Sequence, residues 1–173
     1  MAVSDILLLG NPLLNQPSAP VQKSEPSAAA ATGQDLHDTL MSFRAEHGWG
    51  RAIAAPQIGV LKRIVYLHIE RPWLIINPAM VGMSEDMMEL WDDCMSFPDL
   101  LVRVKRHSGF TLTYLDELWV EQTLAVEGVR SELLQHEIDH LHGVLAVSKA
   151  IDGASFALRS QRHLLKRAVF ANA

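Results

Sequence analysis

Between residues 131 and 141 the chain reads SELLQHEIDHL, and no other stretch constrains its fold so strongly. Leu133, Leu134, Ile138 and Leu141 recur at helical spacing along one side, and Gly143 follows as a stop. The same segment carries Gln135, His136, Glu137, Asp139 and His140. An apolar stripe that buries the helix takes these polar groups inside with it, where unpaired polar side chains are costly. Either the rest of the fold supplies partners for them, or the helix lies on the surface and carries its histidines by chance.

The chain around this helix is expected to hold short strands. Residues 5 to 9 (DILLL) run into the turn signal Gly10-Asn11-Pro12, and Pro17, Pro20 and Pro26 keep the chain extended to about residue 26. Ser27 to His47 reads as a helix, with Leu36, Leu40 and Phe43 on one face, Gly48 as its stop and Gly33 weakening its middle. After the small-residue stretch GWGRAIAAPQIG come strand-like runs at Lys62 to Ile69 and Trp73 to Ile76, the second closed by Asn77-Pro78. The Met-rich, acidic residues 82 to 90 read as a loop or strand edge. Leu101 to Lys105, Phe110 to Leu115 and Trp119 to Ala125 are further strand candidates. Ser155 to Phe170 reads as a second amphipathic helix whose Arg159, Arg162, Lys166 and Arg167 face solvent. Strands in the middle and helices toward the ends make the class α+β, and no linker divides residues 1 to 173, which read as a single domain.

Composition narrows the function classes. The net charge is −5, with Lys and Arg scattered, so neither nucleic acid nor an anionic membrane is expected as the main partner. No apolar run is long enough for a membrane span, and MAVSDILLLGNPLL lacks the basic start of a signal peptide. Cys94 is the one cysteine, so no internal disulfide can form, and a cytoplasmic setting is expected.

His136 and His140 stand four apart, which puts both imidazoles on one helix face about one turn apart. So placed, two nitrogens can reach one tetrahedral metal, and Glu137 can act on a water at that metal as general base. Cys94, in WDDCMSFPDL, is a candidate third ligand, since a thiolate binds divalent metals strongly. Two histidines and a cysteine leave a fourth position open, as catalytic sites do. Read alone, Cys94 is equally a small buried hydrophobe. A zinc peptidase is a competing reading, but the downstream third ligand common in such enzymes is not repeated here.

Three blocks in order resemble the peptide deformylase family. GRAIAAPQ, Gly50 to Gln57, is similar to the family's G-x-G-x-A-A-x-Q; DDCMS, Asp92 to Ser96, to its E-G-C-L-S; and QHEIDH, Gln135 to His140, matches Q-H-E-x-D-H throughout. ILLLGNPLL and IINPAM add lesser likenesses, and Arg103 stands where the family usually has an arginine. The resemblance covers about residues 5 to 150. It implies small antiparallel β-sheets around a central helix carrying H-E-x-x-H, with a C-terminal helix.

The resemblance also implies an activity: removal of formate from the N-formyl-methionine of newly made polypeptides. One divalent metal would be held by Cys94, His136 and His140, with Fe²⁺ in the cell and Zn²⁺, Ni²⁺ or Co²⁺ able to replace it. Hydroxide activated at that metal would attack the formyl carbon, with Glu137 passing the proton to the leaving amine. Gln57 and the backbone N–H of Met95 would stabilise the oxyanion. Gly50, Ala52, Ile53 and Asp93 would contact substrate. Asp139 either orients a ligand histidine or faces solvent. The basic C-terminal helix faces solvent, a ribosome or a second subunit, and the oligomeric state is open.

The likeness has departures. Ala52 stands for the second glycine, Asp92 for glutamate, Met95 for leucine, and Asp93 for the glycine before the cysteine. A carboxylate at 93 would narrow the groove or repel nascent peptides, leaving a metal-binding relative that is weakly active or takes a different N-acyl substrate.

Overall fold

In this computed structural model residues 3–165 are described, together with the backbone of 169–170. Besides short 3-10 turns, two α-helices and nine strands are described: α1 (Pro26–His47), β1 (Ala52–Ala54), β2 (Ile64–His68), β3 (Pro72–Val81), β4 (Met87–Asp93), β5 (Leu100–His107), β6 (Gly109–Leu115), β7 (Glu121–Glu127), α2 (Gly128–Leu141), β8 (Phe156–Leu158) and β9 (Val169–Phe170). One sheet has the order β1-β2-β3-β6-β7 and is antiparallel throughout; the other has the order β8-β5-β4-β9. In the second sheet β9 lies parallel to β4, pairing at Leu90 and Trp91.

The first sheet is covered on both faces, and the period-2 alternation of its strands assigns each side chain to one of them. Ala52, Ala54, Val65, Leu67, Ile75 and Leu112 face α2 and pack on Leu133, Leu134, Ile138 and Leu141. Ile53, Ile64, Tyr66 and Ile76 face the other way, onto Leu36, Leu40 and Phe43 of α1. Double coverage explains why β2 is an unbroken apolar run rather than an alternating one. Gly33, which weakens α1 by propensity, is where the helix meets β3: a Cβ there would lie 3.0 Å from Leu74.

Several expectations need correction. Asn77-Pro78 does not close β3. Asn77 takes φ 52 at an irregularity between Ile76 and Ala79, and its amide ties down Val21 through two hydrogen bonds of 2.9 Å. The last strand before α2 begins at Glu121, and Trp119 belongs to the turn before it, at φ 62. The C-terminal helix is a six-residue 3-10 helix, Arg159–Leu164, preceded by strand β8. Its apolar residues are spaced for helix, but Phe156 to Leu158 have a free edge of β5 to pair with, and pairing wins. Lys166 and Arg167 lie outside the described residues.

Candidate metal centre

Every residue of α2 from Ser131 to Leu141 is buried, so its polar groups do need partners. Cys94 is delivered from just beyond the end of β4, in the turn where Phe97 N–H donates to the Cys94 carbonyl at 3.1 Å. Its Sγ lies 3.3 Å from His140 Nε2, and the two histidine Nε2 atoms lie 3.2 Å apart. Two nitrogens bound to one tetrahedral metal at ~2.0–2.1 Å stand roughly 3.3 Å apart. The donor set therefore fits a divalent ion, and among the described residues it is the one such cluster of His, Cys and acidic groups. His142 is exposed and points elsewhere.

A buried chain of charges fixes this cluster. His136 Nδ1–H donates to Asp92, 2.9 Å from Oδ1 and 3.0 Å from Oδ2, which leaves Nε2 free to face a metal. Arg106, 1% exposed, donates to Asp92 through Nε at 3.1 Å and Nη2 at 2.7 Å, and to Asp139 through Nη1 at 2.9 Å. Lys149 Nζ completes the chain at Asp139, 2.8 Å away. Asp139 thus neither holds a ligand histidine nor faces solvent; it anchors Arg106. Arg103 stays near the surface on Glu89, Asp152 and Ser155.

Electrostatics separate the two histidines. Burial opposes charging His136, but the negative Asp92 and then Cys94 overrule it and lift its pKa well above the ordinary imidazole value. Burial and the neighbouring His136 charge hold His140 well below it. Burial alone would raise Asp92, yet His136 and Arg106 keep it well below the usual carboxylate range.

Glu137 is 3% exposed, and its Oε2 has no hydrogen-bond partner among the described residues. Burial pushes its pKa up to about 7 from an ordinary 4.5. Between those two values the folded, metal-free chain binds more protons than the unfolded one, so stability falls as pH rises and the penalty is complete above pH 7. Glu137→Gln removes the penalty. Relative to the parent, the metal-free variant should gain on the order of 3 kcal/mol in urea unfolding between pH 5 and 8. Parallel pH profiles for the two proteins would refute this.

Across from α2, Gln57 is 1% exposed and held in one orientation: its Oε1 accepts from Ala54 N–H at 2.9 Å. Its Nε2 is thereby turned toward the site, 3.5 Å from Cys94 Sγ and 3.2 Å from Ser96 Oγ. Met95 is buried, and among the described residues its N–H has no protein acceptor. Gly50 closes the same cleft at φ 122; a Cβ there would sit 3.3 Å from Leu40, and Arg44 grips its carbonyl at 2.6 and 2.9 Å. The cleft has ≈ 340 Å³ of empty space, lined among others by Gly50, Arg51, Ala52, Gln57, Asp93, Met95 and Glu137. The Ile53 side chain is not among them, because strand alternation turns it onto α1.

Asp93 does not stand as a free charge in this cleft. Its Oδ2 accepts from Arg159 Nη2 at 2.9 Å, and Arg159 also donates to Pro98 O at 2.6 Å and stacks 3.7 Å over Trp49. Arg159 is thus turned inward, not out to solvent as the helical reading required. Asp93→Gly would widen the groove but release Arg159. It should cost about 1–3 kcal/mol in urea unfolding, and adding Arg159→Ala should cost little more. Fully additive losses would mean that the pair is not coupled.

The sequence reading passed over Arg106, the Asp92–His136 contact and a third feature, the Arg51–Glu132 pair. Only the last had a usable signal: Glu132 stands four before His136, on the face that bears both histidines.

Comparison with known proteins places this geometry. The model of the polypeptide deformylase family matches residues 3–155. A peptide deformylase 1 of Prochlorococcus marinus is 34% identical over 173 aligned positions, covering 93% of this chain and 88% of that protein. The peptide deformylase of Leptospira biflexa is 35% identical over 163, covering 86% and 88%. Among solved structures, the peptide deformylase of Synechococcus elongatus in complex with actinonin superposes with a TM-score of 0.81 at 29% identity, covering 88% of this chain and 81% of that one. The peptide deformylase of Thermotoga maritima also reaches 0.81, at 25% identity and with 88% and 100% covered. In sequence over nearly its whole length and in fold, this chain belongs to the polypeptide deformylase family.

Proposed function

We propose that this chain hydrolyses the formyl group from the N-terminus of newly made polypeptides in the cytoplasm. The observation that carries the reading is the convergence on one cleft of three metal-ligating atoms, an unpartnered Glu137 oxygen and the Gln57 amide. Cys94, His136 and His140 would hold one divalent metal, Fe²⁺ in the cell, with Zn²⁺, Ni²⁺ or Co²⁺ as replacements. When bound, that metal supplies Lewis acidity and makes water deprotonate near neutral pH.

The remaining work falls to the protein's own groups. Glu137 accepts the water proton on its unpaired Oε2 and returns it to the departing amine nitrogen, which leaves only when protonated. Gln57 Nε2–H and Met95 N–H donate to the formyl oxygen as charge builds on it. Gln57 needs no reorientation for this, because Ala54 already holds its other end. The substrate main chain enters between Gly50–Ala52 and Asp92–Met95, beyond the part of β4 already paired with β9.

The test is formate release from formyl peptides by anaerobically prepared, Fe²⁺-loaded protein with its metal content measured. Turnover proportional to bound metal is expected. Full metal content with no formate from any formyl peptide would overturn the reading.

A further inference from the structure

The groove that takes the substrate main chain has walls from two different sheets. Gly50 and Arg51 lead into β1 of one sheet, while Asp92 to Met95 run off the end of β4 in the other. β1 pairs with β2, and β4 with β5 and β9, so among the described strands no ladder joins the two walls. Their spacing therefore rests on side chains that cross from one wall to the other. Gln57 crosses at the buried end, where its Nε2 donates to Ser96 Oγ at 3.2 Å.

Arg159 makes a second crossing from outside the cleft. It is not among the lining residues, yet it touches two that are: Trp49, next to Gly50, and Asp93, next to Cys94. Its guanidinium lies 3.7 Å over the Trp49 ring. Its Nη2 donates to Asp93 Oδ2 at 2.9 Å, and its Nε to the Pro98 carbonyl at 2.6 Å. Both anchors are themselves held. Trp49 stands edge-on to Phe43 of α1 with ring centroids 4.8 Å apart, and Asp93 is the last residue of β4. The segment that carries Arg159 adds little else: the 3-10 helix Arg159–Leu164 buries no residue, and Phe156 and Leu158 of β8 are exposed. What it delivers to the site is one planar cation, gripped at two points and stacked on an aromatic face.

Main-chain pairing with an added strand weakens steeply once donor and acceptor drift beyond ~3.2 Å. Walls already braced at the right spacing offer that pairing without first being ordered. We propose, resting on the formyl-hydrolase reading, that Arg159 is a positioning residue that braces the two walls of the groove at the spacing an added peptide strand needs. Asp93, the departure from the family's glycine, is the anchor of that brace on the β4 side. The second and third residues of a substrate depend on the brace, because only they extend along both walls. The formyl group and the first residue, seated by the metal ligands and Gln57, do not.

The test compares formyl-Met-Ala-Ser with formyl-methioninamide as substrates of the metal-loaded parent and Arg159→Ala. In the variant the KM for the tripeptide should rise about tenfold or more, with kcat within about twofold. Both constants for formyl-methioninamide should stay within about twofold, at unchanged metal content. General loss of stability would lower activity on both substrates alike, so the dependence on length separates a brace from a merely structural contact. Arg159→Met keeps the apolar stem on Trp49 and should show the same pattern, which covers the case of an alanine variant that does not fold. An equal loss on the two substrates, a loss confined to kcat, or no change overturns the proposal. The brace is also read without turnover, by hydrogen exchange of the metal-loaded proteins. Amides of residues 50–54 and 92–96 should exchange at least about threefold faster in the variant. Acceleration confined to residues 156–164 overturns the brace, whereas a parent that releases no formate from either substrate overturns only the hydrolytic reading.

Discussion

Glu137→Gln should keep one metal per chain while its formate release falls by a factor of about 10²–10⁴. The substitution preserves the shape of the side chain and removes the carboxylate proposed above to carry a proton between water and amine. Glu137 is not one of the three atoms that cluster for a metal, so metal content should not change. Cys94→Ser gives the opposite pattern: weakened metal retention first, with activity lost in proportion to the metal. Metal analysis and formate release on the same samples separate the two effects. A Glu137→Gln protein that turns over within a few-fold of the parent would remove Glu137 from the chemistry. A Cys94→Ser protein with unchanged metal stoichiometry would remove Cys94 from the ligand set.

Arg106→Met should be among the most destabilising single changes in the chain, by about 3–5 kcal/mol in urea unfolding. Arg106 is 1% exposed and stands between two carboxylates that are themselves buried, Asp92 and Asp139. The loss is not mainly that of an attraction. Without the guanidinium, Asp92 is left with His136 and Asp139 with Lys149, and the hydrogen bonds that Arg106 donated have no replacement. The effect should also reach the metal. Asp92 orients His136, and disturbing a partner of this kind typically lowers metal affinity roughly 10–100-fold. A variant within 1 kcal/mol of the parent, with parental metal affinity, would show that the network is ornamental.

How much of this was legible beforehand differs from element to element. The helix at Ser131 to Leu141 was legible because its apolar period and its stop residue agree. The sheet strands were legible because they are short apolar runs between turn residues, although Asn77 concealed the continuation of β3 by looking like a terminator. The C-terminal segment was misread because its spacing fits a helix, while an open edge of β5, unseen in sequence, offered it a ladder. His136, Glu137 and His140 announced themselves by local spacing on one helix, and Cys94 and Gln57 by their resemblance to known blocks.

By itself the sequence determined the α+β class, the face of α2 that carries His136 and His140, and the family likeness, because each rests on residues close together along the chain. Tertiary structure alone decided the partners of the buried charges. Asp92 and Arg106 are 14 residues apart, Arg106 and Asp139 33, Arg51 and Glu132 81, and Asp93 and Arg159 66. No local pattern encodes contacts at such separations. They are chosen when the sheets close on α2 and each buried charge must find an opposite charge or remain unpaired in a medium that penalises it heavily.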